Sequence, residues 1–342
     1  MKASTQLRKV QLTGGSTYVV SLPKEWAKTV GIKVGDHLQI IPQQDMSLLI
    51  LPREEKKQKD ELSKIVVDAS AAETAEDFVR EFISCYLVGY DLISLKLGEK
   101  ATEYRGYVKD VMRRKLVGLE IIEESADQMT ARCMLGHTEF PVKEVLNRMH
   151  SMSLSMLKDA ITALKEGNIP LARDIEERDD DVDRLYFFVV RQLKMAMENR
   201  VTMEEIGLST ARDCLGYRMI VKSIERIADH ASRIAETIPT IEHASIDDIV
   251  VPISEISEIS ADICRIAMKS LHQLNIKKAN EAIAKTLKVN ELEKKILEQI
   301  LQIKLSTKTI IGLRLVLESV RRIAEYGTDI AEIVINLAKK WA

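Results

Sequence analysis

The second half of the chain repeats itself, and this repetition restricts the fold more than any other feature of the sequence. Beginning at Leu164, residues match others 107 positions later, and IERIADHASRIAETI at 224–238 matches VRRIAEYGTDIAEIV at 320–334 with an offset of 96. The offset falls from 107 to 96, so the second copy has a connection that is 11 residues shorter. Such repeats indicate copies of one structural unit that pack together and bury a shared core.

Each copy has the apolar spacing of amphipathic helices. Apolar residues recur every three or four positions, as at Val145, Met149, Met152 and Met156, which is the periodicity of one helix face. Aromatic residues make up only 4% of the chain, which favours helical packing over a β sandwich. We predict an all-α six-helix bundle of two three-helix repeats, at 141–240 and 247–342.

The first 52 residues have a different pattern. Short runs rich in Val, Ile and Leu predict strands, and Pro23 precedes a short helix at 24–30 that stops at Gly31. The predicted strands lie at 10–12, 17–22, 38–41 and 48–51. Four short strands bury little apolar surface, so we expect this small, mostly-β domain to dimerise.

Two segments separate these regions. Residues 53–61, REEKKQKDE, have the composition of a charged, solvated linker. Residues 62–140 mix helix and strand patterns and predict a small α/β domain, in which the sequence marks no site.

The net charge, the cysteines and the lengths of the apolar runs limit where the protein acts and what it binds. Net charge is −2, so any contact with nucleic acid must come from a local basic patch. Four widely spaced cysteines indicate neither a zinc ribbon nor a redox pair. The first residues lack an apolar signal core, and no run approaches the roughly 20 apolar residues of a membrane span. We therefore expect a cytoplasmic protein without a transmembrane segment.

Four acidic residues in the first repeat have the spacing of a metal site. Asp179 and Asp183 lie four residues apart on one predicted helix, and Glu225 and Asp229 do so on the next. Residues four apart share a helix face, so these carboxylates could chelate a hard cation, iron or manganese through oxygen. The alternative is a solvated acidic face, which exposed helices commonly have.

The second repeat has lost most of these carboxylates. The equivalent positions hold Thr286, Asn290, Arg321 and Glu325, and another acidic pair, Glu325 with Asp329, follows one turn later. We predict that metal binds mainly in the first copy, and that Arg321 replaces a cation in the second by pairing with a carboxylate.

Catalysis is not expected from the motifs present. Di-iron carboxylate enzymes use Glu-x-x-His pairs, and none of the six histidines lies three residues after a Glu. The chain has no GxxxxGKS phosphate loop and no GxSxG motif. His230 adjoins Asp229, but a single helical His is more often a satisfied or solvated side chain. A metal-dependent bundle enzyme is therefore the weakest hypothesis.

The repeated helix at 224–238 and 320–334, within two copies of three helices, resembles the PhoU family of phosphate-uptake regulators. The resemblance covers about 141–342. It implies a six-helix bundle with multinuclear metal sites at E/DxxxD motifs. In bacteria, such proteins restrain phosphate uptake and signalling through a phosphate ABC transporter and a sensor kinase.

The family's acidic motif falls on Glu225 and Asp229 of this sequence, and the acidic positions of the preceding helix fall on Asp179 and Asp183. The resemblance implies one or more metal ions there, and iron, manganese, zinc and magnesium remain open. Arg321 departs from the family's pattern, which places the second family site in question.

The segment VVSLPKEWAKTVGIKVGDHLQI resembles the AbrB/SpoVT swapped-hairpin DNA-binding family over about 5–52. That family forms intertwined dimers and contacts DNA with basic side chains, which here implies Arg8, Lys9 and Lys24. Residues 1–52 contain six basic and three acidic residues, a net charge of +3. The combination is similar to archaeal phosphate-uptake regulators.

Two regulatory hypotheses follow. In the first, a homodimer binds metal and DNA and regulates phosphate uptake or phosphate-responsive transcription. In the second, the protein acts only by contact with a phosphate transporter or its signalling partners, and the N-terminal domain serves only to dimerise.

Overall fold

The computed structural model describes residues 6–42, 46–52, 62–135, 140–198, 200–243 and 246–339. The chain divides into two compact units, Met1–Glu61 and Leu62–Ala342. The predicted linker at 53–61 lies outside the described residues.

The N-terminal unit consists of two β-hairpins and one short helix. Its elements are β1 (Gln11–Thr13), β2 (Thr17–Val19), α1 (Lys24–Val30), β3 (Leu38–Pro42) and β4 (Leu48–Pro52). β1 pairs with β2 and β3 pairs with β4, each antiparallel. Gly31 ends α1 with a φ of 79°, a left-handed conformation that favours glycine.

The described part of this unit has no hydrophobic core within one chain. No residue in its described part is buried, and Leu12, Tyr18, Ile40 and Leu48 each expose more than half of their surface. Exposed apolar area at this density is typical of a surface that another chain covers.

The second unit begins with a four-stranded mixed sheet and two helices. Its elements are β5 (Lys64–Asp68), α2 (Ala75–Val88), β6 (Leu92–Lys96), α3 (Ala101–Lys115), β7 (Leu119–Glu124) and β8 (Gln128–Cys133). The strand order is β5-β6-β8-β7, with β5 and β6 parallel and the other pairs antiparallel. Phe78, Phe82 and Tyr86 of α2 pack against Ile93 and Leu95 of β6 in a separate core.

Six long helices and one short one complete the unit. They are α4 (Val142–Glu166), α5 (Ile169–Glu198), α6 (Arg200–Glu205), α7 (Ala211–Thr237), α8 (Asp247–Gln273), α9 (Ile276–Gln302) and α10 (Thr307–Ala338). α4, α5 and α7 form one three-helix set and α8, α9 and α10 the other, joined where α7 packs on α10 and α4 on α8. The predicted fold class is confirmed, and α6 occupies the longer connection of the first repeat.

Two glycines at equivalent positions of the two repeats allow close packing around α7 and α10. A Cβ atom at Gly216 of α7 would lie 2.7 Å from Cδ2 of Leu337, and one at Gly312 of α10 would lie 2.8 Å from Cγ1 of Ile241. Any larger residue would force the neighbouring side chain away. The repeat therefore preserves the close contacts of its core as well as its sequence.

A buried arginine anchors the sheet region to the bundle. Arg191 of α5 is 2% exposed and donates hydrogen bonds to the carbonyl oxygens of Tyr86, Gly89 and Tyr90. Its Nη2 also lies 3.6 Å from Oδ1 of Asp91. These contacts fix the position of α2 relative to α5. Within the described ranges, no helix is long and apolar enough to cross a membrane.

Candidate metal centre

The acidic cluster lies where α5 packs against α7. Because residues four apart occupy one helix face, Asp179 and Asp183 of α5 are directed towards Glu225 and Asp229 of α7. A Thr210–Asp213 capping box begins α7 and sets the start of this helix. One oxygen from each of Asp183, Glu225 and Asp229 lies within 4.8 Å of the others.

Burial and mutual repulsion disfavour charge on these carboxyl groups. Burial, together with the negative charges of Asp229, Asp183 and Glu225, raises the pKa of Asp179 to about 7. Burial is also the largest cause of the raised pKa values of Glu225 and Asp229. A cluster in this state is stabilised by protons or by a cation.

Two lysines partly neutralise the cluster. Lys222 of α7 donates a hydrogen bond to Oε1 of Glu225, and Nζ of Lys115, at the end of α3, lies 3.3 Å from Oδ2 of Asp183. The sequence analysis missed both residues. Lys222 stands three residues before Glu225 and could have been found from helical spacing, whereas Lys115 reaches the cluster only through the tertiary fold.

One oxygen of the cluster has no partner in the described structure. Oε2 of Glu225 is buried without a hydrogen bond, and the whole residue is only 7% exposed. Buried carboxylate oxygens are nearly always hydrogen-bonded or bound to a cation. The donor set contains only carboxylate oxygens, which suits a hard or intermediate divalent cation.

His230 is not among the clustered ligand groups. Its ring packs on Tyr326 at a centroid distance of 5.7 Å, and its Nδ1 is buried without a hydrogen-bond partner. Burial, together with the charges of Arg233 and Arg322, lowers its pKa to about 4. The prediction of a satisfied or solvated side chain is wrong for this nitrogen.

In the second repeat an arginine occupies the centre of the corresponding site. Nε of Arg321 lies 3.2 Å from Oε2 of Glu293, and its Nη1 donates to Glu325. The predicted pairing of Arg321 with a carboxylate is confirmed. In the described part of the chain, three potential ligand atoms come together only in the first repeat.

Comparison with known proteins identifies the family of the helical bundle. The profile of the PhoU domain matches residues 146–238 and 253–334, together just over half of the chain. The chain belongs to the PhoU family. The profile described as "Antidote-toxin recognition MazE, bacterial antitoxin" matches residues 11–61, in agreement with the predicted AbrB-type N-terminal domain.

Similar proteins carry the PhoU name. A "Phosphate-specific transport system accessory protein PhoU homolog" of Clostridium acetobutylicum is 25% identical over 198 residues, which are 56% of this chain and 88% of that protein. A homolog so named in Rhizobium meliloti is 33% identical over 93 residues, 27% of this chain and 36% of that protein. The crystal structure of PhoU from Pseudomonas aeruginosa shares the fold, with a TM-score of 0.50, 20% identity and coverage of 57% of this chain and 94% of that one.

The candidate DNA-contact residues all lie outside the PhoU bundle and are exposed. Arg8 and Lys9 precede β1, and Lys24 is the first residue of α1. Arg8 donates a 2.6 Å hydrogen bond to Oε1 of Gln6. Within the described residues none of the three forms an ion pair, so their charges are available to a phosphate backbone. Their role in DNA binding stays a prediction.

Proposed function

We propose that this chain is a dimeric, metal-binding regulator of phosphate uptake that binds DNA through its N-terminal unit. The observation that carries the proposal is the union, in one chain, of a PhoU-family bundle with a three-carboxylate cluster and a MazE-type domain. The names of its relatives describe accessory proteins of phosphate-specific transport systems.

The geometry of the acidic cluster supports metal binding. Asp183, Glu225 and Asp229 bring three carboxylates together, and Asp179 adds a fourth carboxyl group beside them. A divalent cation would neutralise these groups and give the buried Oε2 of Glu225 a partner. A set of carboxylates alone favours magnesium, manganese or iron over zinc, which prefers nitrogen and sulfur ligands.

The exposed apolar side chains of the N-terminal unit support dimerisation. A second copy of the unit would cover residues such as Leu12 and Ile40, which one chain leaves exposed. Dimerisation would also double the local net charge of +3 at 1–52. Two basic patches related by a two-fold axis suit the pseudo-symmetry of operator DNA.

A second candidate function is regulation by protein contact alone. The same exposed apolar surface accounts for a dimerising role without any DNA, and a charge of +3 is modest for a nucleic-acid-binding domain. In that case the partner is a phosphate transporter or one of its signalling proteins.

DNA binding by the metal-loaded and metal-free full-length protein distinguishes these candidates. Fluorescence anisotropy on promoter fragments of phosphate-transport genes should show salt-dependent binding. Replacing Arg8, Lys9 and Lys24 together with Ala should weaken it at least about tenfold and reduce the salt slope by about 0.9 for each phosphate that the variant no longer neutralises. Replacing exposed Lys277, Lys294 and Lys295 of α9 with Ala is the control of equal charge.

Unchanged binding by the N-terminal triple variant would show that these residues do not contact DNA. Absence of salt-dependent binding in the wild-type protein would favour the second candidate. If the affinity for DNA depends on bound metal, the acidic cluster is linked to DNA binding.

A further inference from the structure

A cavity of about 620 Å³ lies where the sheet region meets the bundle, outside the acidic cluster. The C-terminal half of α3, the beginning of β7 and Arg184 of α5 form its walls. This volume falls within the range of small-molecule sites, which also occur preferentially at the junctions of structural units. The sequence analysis marked no site in this region.

The polar wall of the cavity is mainly cationic. Lys109, Arg113 and Arg184 line it, and Glu120 is the single acidic residue among those lining it. Lys109 is already paired, because its Nζ lies 2.8 Å and 2.9 Å from the two carboxylate oxygens of Glu124. The two arginines are therefore the cations that remain for a ligand.

Both arginines have spare hydrogen-bonding capacity. Nε of Arg113 donates only to the carbonyl oxygen of Lys109 at 3.3 Å, and its guanidinium forms no ion pair with the described residues. Nε of Arg184 is buried without a hydrogen-bond partner, and its Nη1 forms only a long ion pair, 3.9 Å from Oδ1 of Asp181, within the described residues. Because arginine stays charged at any physiological pH, an anion is the partner that this wall lacks.

The remaining walls are apolar. Met112 of α3, Leu116 just after α3, and Leu119 and Ile121 of β7 line the cavity beside the arginines. Inorganic phosphate would fill only the cationic side. An apolar body attached to an anionic group would contact both sides and exclude water from the hydrophobic one.

We propose that this cavity binds a small organic anion, whose phosphate, sulfonate or carboxylate group is held by Arg113 and Arg184 and whose apolar body packs on α3 and β7. The guanidinium groups would give paired hydrogen bonds to the anion, a geometry that distinguishes arginine from lysine. None of the four clustered carboxylates lines the cavity, so failure of metal binding would not by itself contradict this proposal.

A pair of fluorescent probes tests the proposal on the full-length protein. 1-Anilinonaphthalene-8-sulfonate carries an anionic group on an aromatic body, and N-phenyl-1-naphthylamine has the same body without the charge. We expect the sulfonate to bind one site per chain, at least about tenfold more tightly than the neutral probe. In the Arg113→Gln/Arg184→Gln variant this preference should disappear, while affinity for the neutral probe stays within about twofold.

Retained binding of the neutral probe shows that the variant cavity is intact. Arg80→Gln, on α2, is the matched control, since Arg80 is exposed and pairs only with Glu76 and Asp77 in the described structure. Its probe affinities should equal those of the wild-type protein. If the double variant prefers the sulfonate as strongly as the wild type does, the two arginines do not hold the anion and the proposed site is wrong. If inorganic phosphate displaces the sulfonate and binds with the same affinity, the ligand does not need an apolar body.

Discussion

Nζ of Lys115 lies 3.3 Å from Oδ2 of Asp183, so the last residue of α3 pairs with a carboxylate of the acidic cluster on α5. Beside it, Nη1 of Arg114 lies 3.4 Å from Oδ2 of Asp180. A cation that binds Asp183 must therefore compete with a lysine from the sheet region. Metal binding and the contact of α3 with α5 are physically linked.

Replacing Lys115 with Gln should strengthen metal binding. The substitution removes a positive charge next to the cluster and frees Asp183, so we expect Mn²⁺ affinity to rise about three- to tenfold. Isothermal titration of the metal-free protein with Mn²⁺ measures the change. Lys109→Gln is the control, because Lys109 pairs with Glu124 away from the cluster. Equal or weaker Mn²⁺ binding in the Lys115 variant would contradict the competition.

Metal content should depend on the first repeat alone. Asp229→Asn removes one of the three clustered ligands and should abolish most of the bound metal, as determined by elemental analysis of purified protein. Glu325→Gln changes the equivalent position of the second repeat, where Arg321 and Arg322 already pair with the carboxylate. That control should retain its metal. Comparable anomalous signals at both repeats would show the asymmetry to be wrong.

The Asp179 carboxyl should contribute stability to the metal-free protein that is lost as pH rises from about 4 to 7. Burial raises the pKa of Asp179 from 3.8 to about 7, so the folded state binds a proton in this window that the unfolded state has released. At pH 8 in EDTA, Asp179→Asn should therefore be more stable than the wild type, by roughly 1–2 kcal/mol because partial solvation reduces the full effect. The difference should shrink towards pH 4.

Urea unfolding at several pH values measures this dependence. Asp181→Asn on the same helix is the control, because the Asp181 side chain is 60% exposed, and it should alter stability equally at both ends of the range. If the free energies of unfolding of Asp179→Asn and the wild type differ by the same amount at every pH, the Asp179 carboxyl is not buried in the folded protein.

Arg191→Met should destabilise the junction between the sheet region and the bundle. Its guanidinium satisfies three backbone carbonyl oxygens and lies near Asp91, and removal leaves these groups without their donor. We expect a loss of about 3 kcal/mol in the free energy of unfolding, or a separate early transition of the sheet region. Calorimetry measures both, and exposed Arg80→Met should change stability by less than about 0.5 kcal/mol. A single transition of wild-type stability would rule out this anchoring role.

Local rules predicted most of the helices and the two-copy organisation. They failed where tertiary packing overrode a local signal. Proline usually interrupts a helix, yet α8 begins at Asp247 and continues through Pro252. The strand β5 at Lys64–Asp68 was not predicted, because a five-residue run with one buried side chain has little periodicity to detect.

The sequence by itself determined the repeat, the helix faces and the two acidic pairs, because helical spacing and self-similarity are properties of the chain. It also determined the absence of most carboxylates from the second copy, since Arg321 is visible without a structure. Only the tertiary structure decided which carboxylates meet, that Lys115 reaches Asp183, and that Arg113 and Arg184 line one cavity. These relationships join residues 68 and 71 positions apart, and contacts at such separation depend on how helices pack.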